Sequence, residues 1–189
     1  MELMRELSLA PGVTGSEEKI AEIITRELKD VADTIETDSM GNLIATKKGE
    51  KKAHKVMLAS HMDEIGLMVR YIDDNGFIKF SNIGGINDQM LMNQTVTVHS
   101  SVGEPIVGVI GSKPPHVTSP EERNKVVKSD DMFIDIGAKD KEDAEKMVRI
   151  GDKMTFNSLF VEYPNSLIMG NALDNRVGCY VMMEVLKIS

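Results

Sequence analysis

The chain has 189 residues, 41% of them hydrophobic, enough for one domain of ordinary size or two small ones with cores of their own. A formal net charge of −8 excludes the clustered lysine and arginine on which nucleic-acid and anionic-membrane surfaces depend. The single cysteine, Cys179, excludes an intrachain disulfide, no apolar run approaches the ~20 residues of a membrane span, and the opening residues lack a basic, then apolar, leader. A soluble, cytoplasmic protein without nucleic-acid or membrane partners is therefore expected.

In chain order, Leu3, Leu7 and Leu9 predict a short amphipathic helix that must stop near Pro11 and Gly12. A second helix follows, with Ser16 as its N-cap, Glu17 and Glu18 in the first turn where the helix dipole favours acid, and Ile20, Ile23, Ile24, Leu28 and Val31 as its apolar stripe. Residues 34–37 and 43–46 flank the turn-rich Asp38-Ser39-Met40-Gly41-Asn42 and predict a hairpin. Residues 55–66, Lys-Val-Met-Leu-Ala-Ser-His-Met-Asp-Glu-Ile-Gly, then form a continuous apolar run that predicts a strand buried on both faces. In an extended segment His61 and Asp63 share a side, at the strand end where α/β proteins place their ligands. A carboxylate two residues from an imidazole suits the outer support of a metal-bound histidine.

From residue 67 helical periodicity gives way to short β-like runs, at 67–72, 77–80, 95–98, 106–110 and 132–136. Asn75-Gly76 is a strong hairpin signal, and the series predicts a barrel or sandwich. The polar stretch 111–128, which contains Lys113-Pro114-Pro115-His116, is too long for a simple connection and predicts a functional or mobile loop. One helix is expected over 140–150, and β structure over 154–156 and 159–161. Residues 167–169 then predict a short strand in the style of the first segment. A helix carrying Val177, Tyr180, Val181, Val185 and Ile188 follows. The β-rich middle is thus an insertion: residues 1–66 begin one domain, 67–161 form a second, and 162–189 resume the first. Asp174 falls at the strand-to-helix turn, where it can serve as a helix N-cap or as a metal ligand. Cys179, within the helical apolar pattern, is expected to pack.

His61-Met62-Asp63-Glu64-Ile65-Gly66, the block 38–45 and Gly170-Asn171-Ala172-Leu173-Asp174-Asn175-Arg176-Val177-Gly178, taken together and in this order, resemble the tetrahedral, or glutamyl, aminopeptidase family of dinuclear metallopeptidases. Lys113-Pro114-Pro115-His116 and the inserted β unit extend the likeness over essentially the whole chain. The resemblance implies an α/β metallopeptidase-type catalytic domain interrupted by a β-barrel-like dimerisation domain. It implies two divalent metal ions, zinc or cobalt, release of amino-terminal residues from peptide substrates, and homo-oligomers, dodecamers in the family. Carried over by position, His61 is a ligand of one metal and Asp174 the carboxylate that bridges both. Asp63 is the catalytic-site residue that orients His61.

The family pattern also holds a proton-handling glutamate, an adjacent glutamate ligand, a further aspartate and a final histidine, all after the helix that begins near Asp174. Here the only acid beyond Asp174 is Glu184, in the body of that helix, so the catalytic domain is expected to be incomplete. Glu17-Glu18 and Glu121-Glu122 have simpler explanations as solvated charge, and His54, His99 and His116 as surface or hydrogen-bonded histidines. Two readings stand beside the aminopeptidase. One is an inactive fragment that keeps a subunit-pairing domain. The other is a related dinuclear-metal deacylase, carboxypeptidase or cellulase-labelled relative.

Overall fold

The computed structural model describes residues 1–49, 54–114, 119 and 125–189. It resolves into two compact units, one made of Met1–Glu64 with Ser158–Ser189 and the other of Ile65–Asn157. Pro115, His116, Glu121 and Glu122 lie outside the described residues.

In the first unit, α1 (Glu2–Leu9) and α2 (Glu18–Leu28) carry the expected apolar stripes. Leu7, Ile20, Ile23 and Leu28 close around Met183 of α4 (Leu173–Ile188), with Tyr180 and Leu186 packed beside them. Ser16 does not cap α2: Glu17 occupies that position, and the Ser16 hydroxyl instead donates to the Gly15 carbonyl. The Glu17 carboxylate reaches back to accept from the Gly15 amide, so the negative charge lies at the helix start by another route. Strands β1 (Thr34–Thr37) and β2 (Leu43–Thr46) form the predicted antiparallel hairpin. Its turn is closed by Asp38, whose carboxylate accepts from the Met40 and Asn42 amides and the Asn42 side chain.

The expected strand at 55–66 is not formed. Residues 54–63 carry no strand assignment, and Val56 and Met57 are 84% and 88% exposed. A buried strand needs neighbours on both edges, and among the described residues none pairs with this segment until Glu64, which makes an isolated parallel bridge to Val13.

The second unit is a closed barrel with strand order β3-β4-β7-β6-β5-β8, every pairing antiparallel. Its strands are β3 (Gly66–Ile72), β4 (Ile78–Ile83), β5 (Thr95–His99), β6 (Ile106–Gly111), β7 (Phe133–Asp135) and β8 (Lys153–Phe156). Closure removes free sheet edges and turns alternate residues inward. Leu67, Val69, Ile78, Phe80, Val96, Val98, Ile110, Ile134 and Met154 fill the interior. Gly76 supplies the positive φ, +85°, of the β3–β4 turn, as Asn-Gly predicts. Helix α3 (Lys141–Met147) is capped by the Asp140 side chain, which accepts from the Asp143 amide.

Phe160 and Val161, read from the sequence with the barrel, belong to the first unit. There β9 (Val161–Tyr163) pairs antiparallel with β10 (Leu167–Met169), which leads into α4. Among the described residues no helix is long and apolar enough to cross a membrane.

Candidate metal centre

The bridge between Val13 and Glu64 fixes where the exposed segment ends, through the Glu64 amide donating to the Gly12 carbonyl at 2.8 Å. The residues just before it are thereby held against the start of α4. The Ser60 hydroxyl donates to the Asn175 carbonyl at 2.9 Å, and the Cys179 thiol reaches the His61 carbonyl at 3.4 Å. Burial pushes the Cys179 thiol up, which agrees with a packed cysteine and not a nucleophile.

Within this frame the side chains of His61, Asp63 and Asp174 meet. Nδ1 of His61 lies 2.8 Å from Asp63 Oδ1, and Nε2 lies 3.2 Å from Asp174 Oδ1. The Thr14 hydroxyl donates to the other Asp63 oxygen at 2.6 Å. That bond, with His61 contributing after it, holds the Asp63 carboxyl below its usual range despite partial burial. Asp174 makes no N-cap bond to α4; its backbone is non-helical (φ −91°, ψ 103°), and its carboxylate is 95% exposed apart from His61. The Asp174–Asn175 peptide is cis.

An imidazole between two carboxylates has a simple chemical requirement. A neutral ring carries one N–H, so one nitrogen can donate while the other presents a lone pair to a carboxylate oxygen. Something positive must then lie between the second pair: a second proton on the ring, or a cation. Two ligands of one tetrahedral zinc, each about 2.0–2.1 Å from the metal, stand about 3.3–3.4 Å from each other. The 3.2 Å between His61 Nε2 and Asp174 Oδ1 fits that separation. Asp63 on Nδ1 then fixes the tautomer that leaves Nε2 open. The fit covers one edge of a site: among the described residues no group of three or more His, Cys, Asp or Glu side chains is placed to hold a metal ion.

The other candidates lie elsewhere. His54 is exposed, and His99, in the barrel unit, is bonded to the Thr155 hydroxyl at 2.9 Å. Glu184 pairs with Lys187 one turn along α4, and Lys187 also reaches Glu27 of α2.

Behind the exposed trio lies a buried ion pair to which sequence pattern assigns no role. Glu64 and Arg176 are 6% and 0% exposed, with Oε1 and Nη2 3.1 Å apart. Arg176 also donates to the carbonyls of Leu7, Ala10 and Met62, while Glu64 accepts from the Gly12 amide and the Asn171 side chain. Burial pushes the Glu64 carboxyl up and Arg176 opposes it; the guanidinium stays a cation across any pH the fold meets. The only signal in the pattern is the adjacent pair of acids, Asp63 and Glu64, after an apolar stretch. It does not say which acid faces inward.

Residues 41–189 match the M42 glutamyl aminopeptidase family. The chain is 37% identical over 189 residues to a lysyl aminopeptidase of Pyrococcus furiosus, covering 98% of this chain and 54% of that protein. A TET aminopeptidase from a marine-sediment Thaumarchaeota archaeon, SCGC AB-539-E09, superposes with a TM-score of 0.94 at 37% identity, over 100% of this chain and 53% of that one. The Pyrococcus horikoshii TET1 peptidase, which can assemble into a tetrahedron or a large octahedral shell, gives 0.87 at 37% identity, over 100% and 56%. The chain spans about half the length of the curated relatives it matches. With its three sequence blocks, its fold and these likenesses in agreement, the chain belongs to the M42 glutamyl aminopeptidase family.

Proposed function

We propose that this chain carries one side of the metal centre of an aminopeptidase that removes amino-terminal residues from peptides. The observation that carries the reading is the His61 imidazole bracketed by Asp63 and Asp174. His61 would bind one divalent ion through Nε2, Asp174 would bridge two ions through its two oxygens, and zinc or cobalt suits that nitrogen–oxygen set. Such ions, when bound, acidify a water and polarise the peptide carbonyl. The part played by these residues is preparatory. Thr14 anchors Asp63; with Asp63 accepting a hydrogen bond from Nδ1–H, the open Nε2 would be aimed at the side of Asp174.

The remaining ligands and the proton-handling glutamate would come from a segment equivalent to the other half of the relatives. The test is release of amino-terminal residues from peptides by this chain combined with such a segment, in zinc or cobalt. Activity that survives His61→Ala would overturn the assignment.

The barrel unit, read as residues 67–161 inserted in the catalytic domain, would carry self-association. The shells formed by the P. horikoshii TET1 peptidase support this, as do Val107 and Val109, 61% and 43% exposed on β6. Sedimentation of the chain should show oligomers that Val107→Lys weakens; a monomer at micromolar concentration would remove this part of the reading. The absence of a third ligand among the described residues favours a second reading, in which the chain by itself pairs but does not catalyse.

A further inference from the structure

We infer that the buried Glu64–Arg176 pair is a positioning device that sets the His61 arm and the Asp174 arm of the site to a single geometry. The inference rests on the metal-site reading above for its functional meaning, but its structural content stands on contacts within the first unit.

The two arms arrive from distant parts of the chain, and each carries one half of the pair. Glu64 directly follows Asp63 and is three residues from His61. Arg176 is two residues from Asp174. The 3.1 Å contact therefore ties the arms immediately behind the three exposed side chains. The ties extend further on both sides. Arg176 Nε donates to the Met62 carbonyl at 3.2 Å, inside the His61–Asp63 segment itself, and Nη1 holds the carbonyls of Leu7 and Ala10 at 2.7 and 2.6 Å. Glu64 Oε1 accepts from the Gly12 amide at 3.0 Å, two residues before the Thr14 that anchors Asp63, and Oε2 accepts from Asn171, three residues before Asp174. Every segment that contributes to the site is thus referred to one buried fork.

Stability alone is a poor account of such a pair. A buried ion pair often does no better for the fold than packed apolar residues of similar volume, because two charges must be stripped of water. What apolar packing lacks is direction. The planar guanidinium offers donors at fixed angles and here uses them on four acceptors from two segments, 7–10 and 62–64. The space beside it is filled: a Cβ at Gly12 would come within 2.7 Å of Arg176 Nη2. Positions of metal ligands are sensitive to this kind of outer support, whose loss typically costs 10–100-fold in affinity.

The experiment uses the whole chain and reads His61 directly. Long-range nitrogen–proton NMR reports which ring nitrogen carries the proton, and the chain has only 4 histidines to assign. His99, in the barrel, serves as the internal control. Wild type should show His61 with Nδ1 protonated, and Mn²⁺ should broaden its ring signals. Arg176→Lys keeps a cation but loses the fork; it should mix the tautomers and raise the Mn²⁺ midpoint about tenfold, with the His99 signals unchanged. Unchanged His61 readouts in folded Arg176→Lys would overturn the inference. If that variant does not fold, Glu64→Gln, nearly isosteric, is read in the same way. Loss of fold in both would assign the pair to stability and overturn positioning. A wild-type His61 without the Nδ1 proton would also overturn it. A wild-type ring with the expected tautomer but no response to Mn²⁺ would sink the metal reading and leave the positioning inference standing.

Discussion

Nε2 of His61 stands 3.2 Å from Oδ1 of Asp174, although 113 residues separate the two in the chain. Neither belongs to a regular strand, and Asp174 sits in a non-helical first turn of α4. Their approach is set by what lies behind them, the bridge at Glu64 and the contacts of Ser60 and Cys179 with the start of α4 and the preceding loop. The pair gives the site its first testable property. Among the described residues the two donors His61 and Asp174 are fewer than the three of a catalytic zinc site or the four of a structural one. Calorimetry with zinc and cobalt should therefore detect loose binding, weakened further in Asp174→Ala. Nanomolar binding by the chain alone would show that further ligands exist within it.

Much of this site was legible in the sequence because its residues sit in compact blocks with strong neighbours. That His61, Asp63 and Asp174 belong together was expected from the family resemblance of their motifs, and their side chains do meet. An all-β barrel or sandwich was legible too, from Asn75-Gly76 and the spacing of short β runs, because the β3-β4 and β5-β6 pairs are set by local turns; the closing pairs β3-β8, β4-β7 and β5-β8 join distant strands and leave no local signal. What failed was the run 55–60, whose apolar character predicts burial on both faces while Val56 and Met57 stand open. Apolar residues record what a segment is suited to contact, and pairing requires neighbours that no described strand supplies. Thr14, Glu64 and Arg176 were missed for the opposite reason. Single polar residues carry no periodicity, and their partnership appears only when the fold brings residues 12, 64 and 176 together.

Arg176→Met should destabilise the chain strongly. It removes donors from three buried or half-buried carbonyls and leaves Glu64 ionisable without its partner. Breaking one side of a buried pair costs about 3–5 kcal/mol. Denaturant titration should show a lower midpoint, and adding Glu64→Leu should recover part of the loss. A double variant no better than the single would mean that the carbonyl bonds, not the charge, dominate.

His99 predicts a pH dependence confined to the barrel unit. Burial lowers its pKa below the ordinary value, so the folded chain binds fewer protons than the unfolded chain in the window beneath about 6.5. Stability contributed by neutral His99 is thus fully present above that value and is lost as pH falls through the window toward the lowered folded pKa. Lys153, opposite His99 in the strand register, adds a like charge once the ring is protonated. Thermal melting from pH 7.5 down to 5 should fall more steeply for wild type than for His99→Gln. Equal slopes would exclude His99 as the source.

The barrel should be intolerant at Gly108. A Cβ there would lie 2.6 Å from Ile134 Cγ2 and 3.1 Å from the Asp135 carbonyl, with backbone on one side and a fully buried isoleucine on the other. Overpacking of this kind costs about 1–3 kcal/mol. Gly108→Ala should lower the melting temperature, and Gly108→Ala with Ile134→Val should regain part of it. An unchanged melting temperature would mean that β6 shifts without cost.

The chain alone should not hydrolyse peptides. A general base typically contributes ~10²–10⁴-fold, and the only acid after Asp174, Glu184, is engaged with Lys187, which also pairs with Glu27 of α2. Loose metal binding removes the activated water as well, and deficits in one catalytic unit do not add as separate small losses. The surface tells the same story from the side of packing. Val56, Met57 and Leu58 are 84%, 88% and 46% exposed, and Val181, Val185 and Ile188 of α4 are 51%, 40% and 86% exposed, apolar area of the kind that a folded protein seldom leaves to water. On the function proposed above, a segment equivalent to the other half of the relatives would pair with residues 55–60 and supply the remaining ligands. Amino-acid p-nitroanilides in excess cobalt should therefore be untouched by the chain alone and turned over when that segment is added, with protection of Val56–Leu58 amides from hydrogen exchange appearing at the same ratio of the two. Turnover by the chain alone, abolished by His61→Ala, would show instead that a working site is assembled from residues given structural roles here.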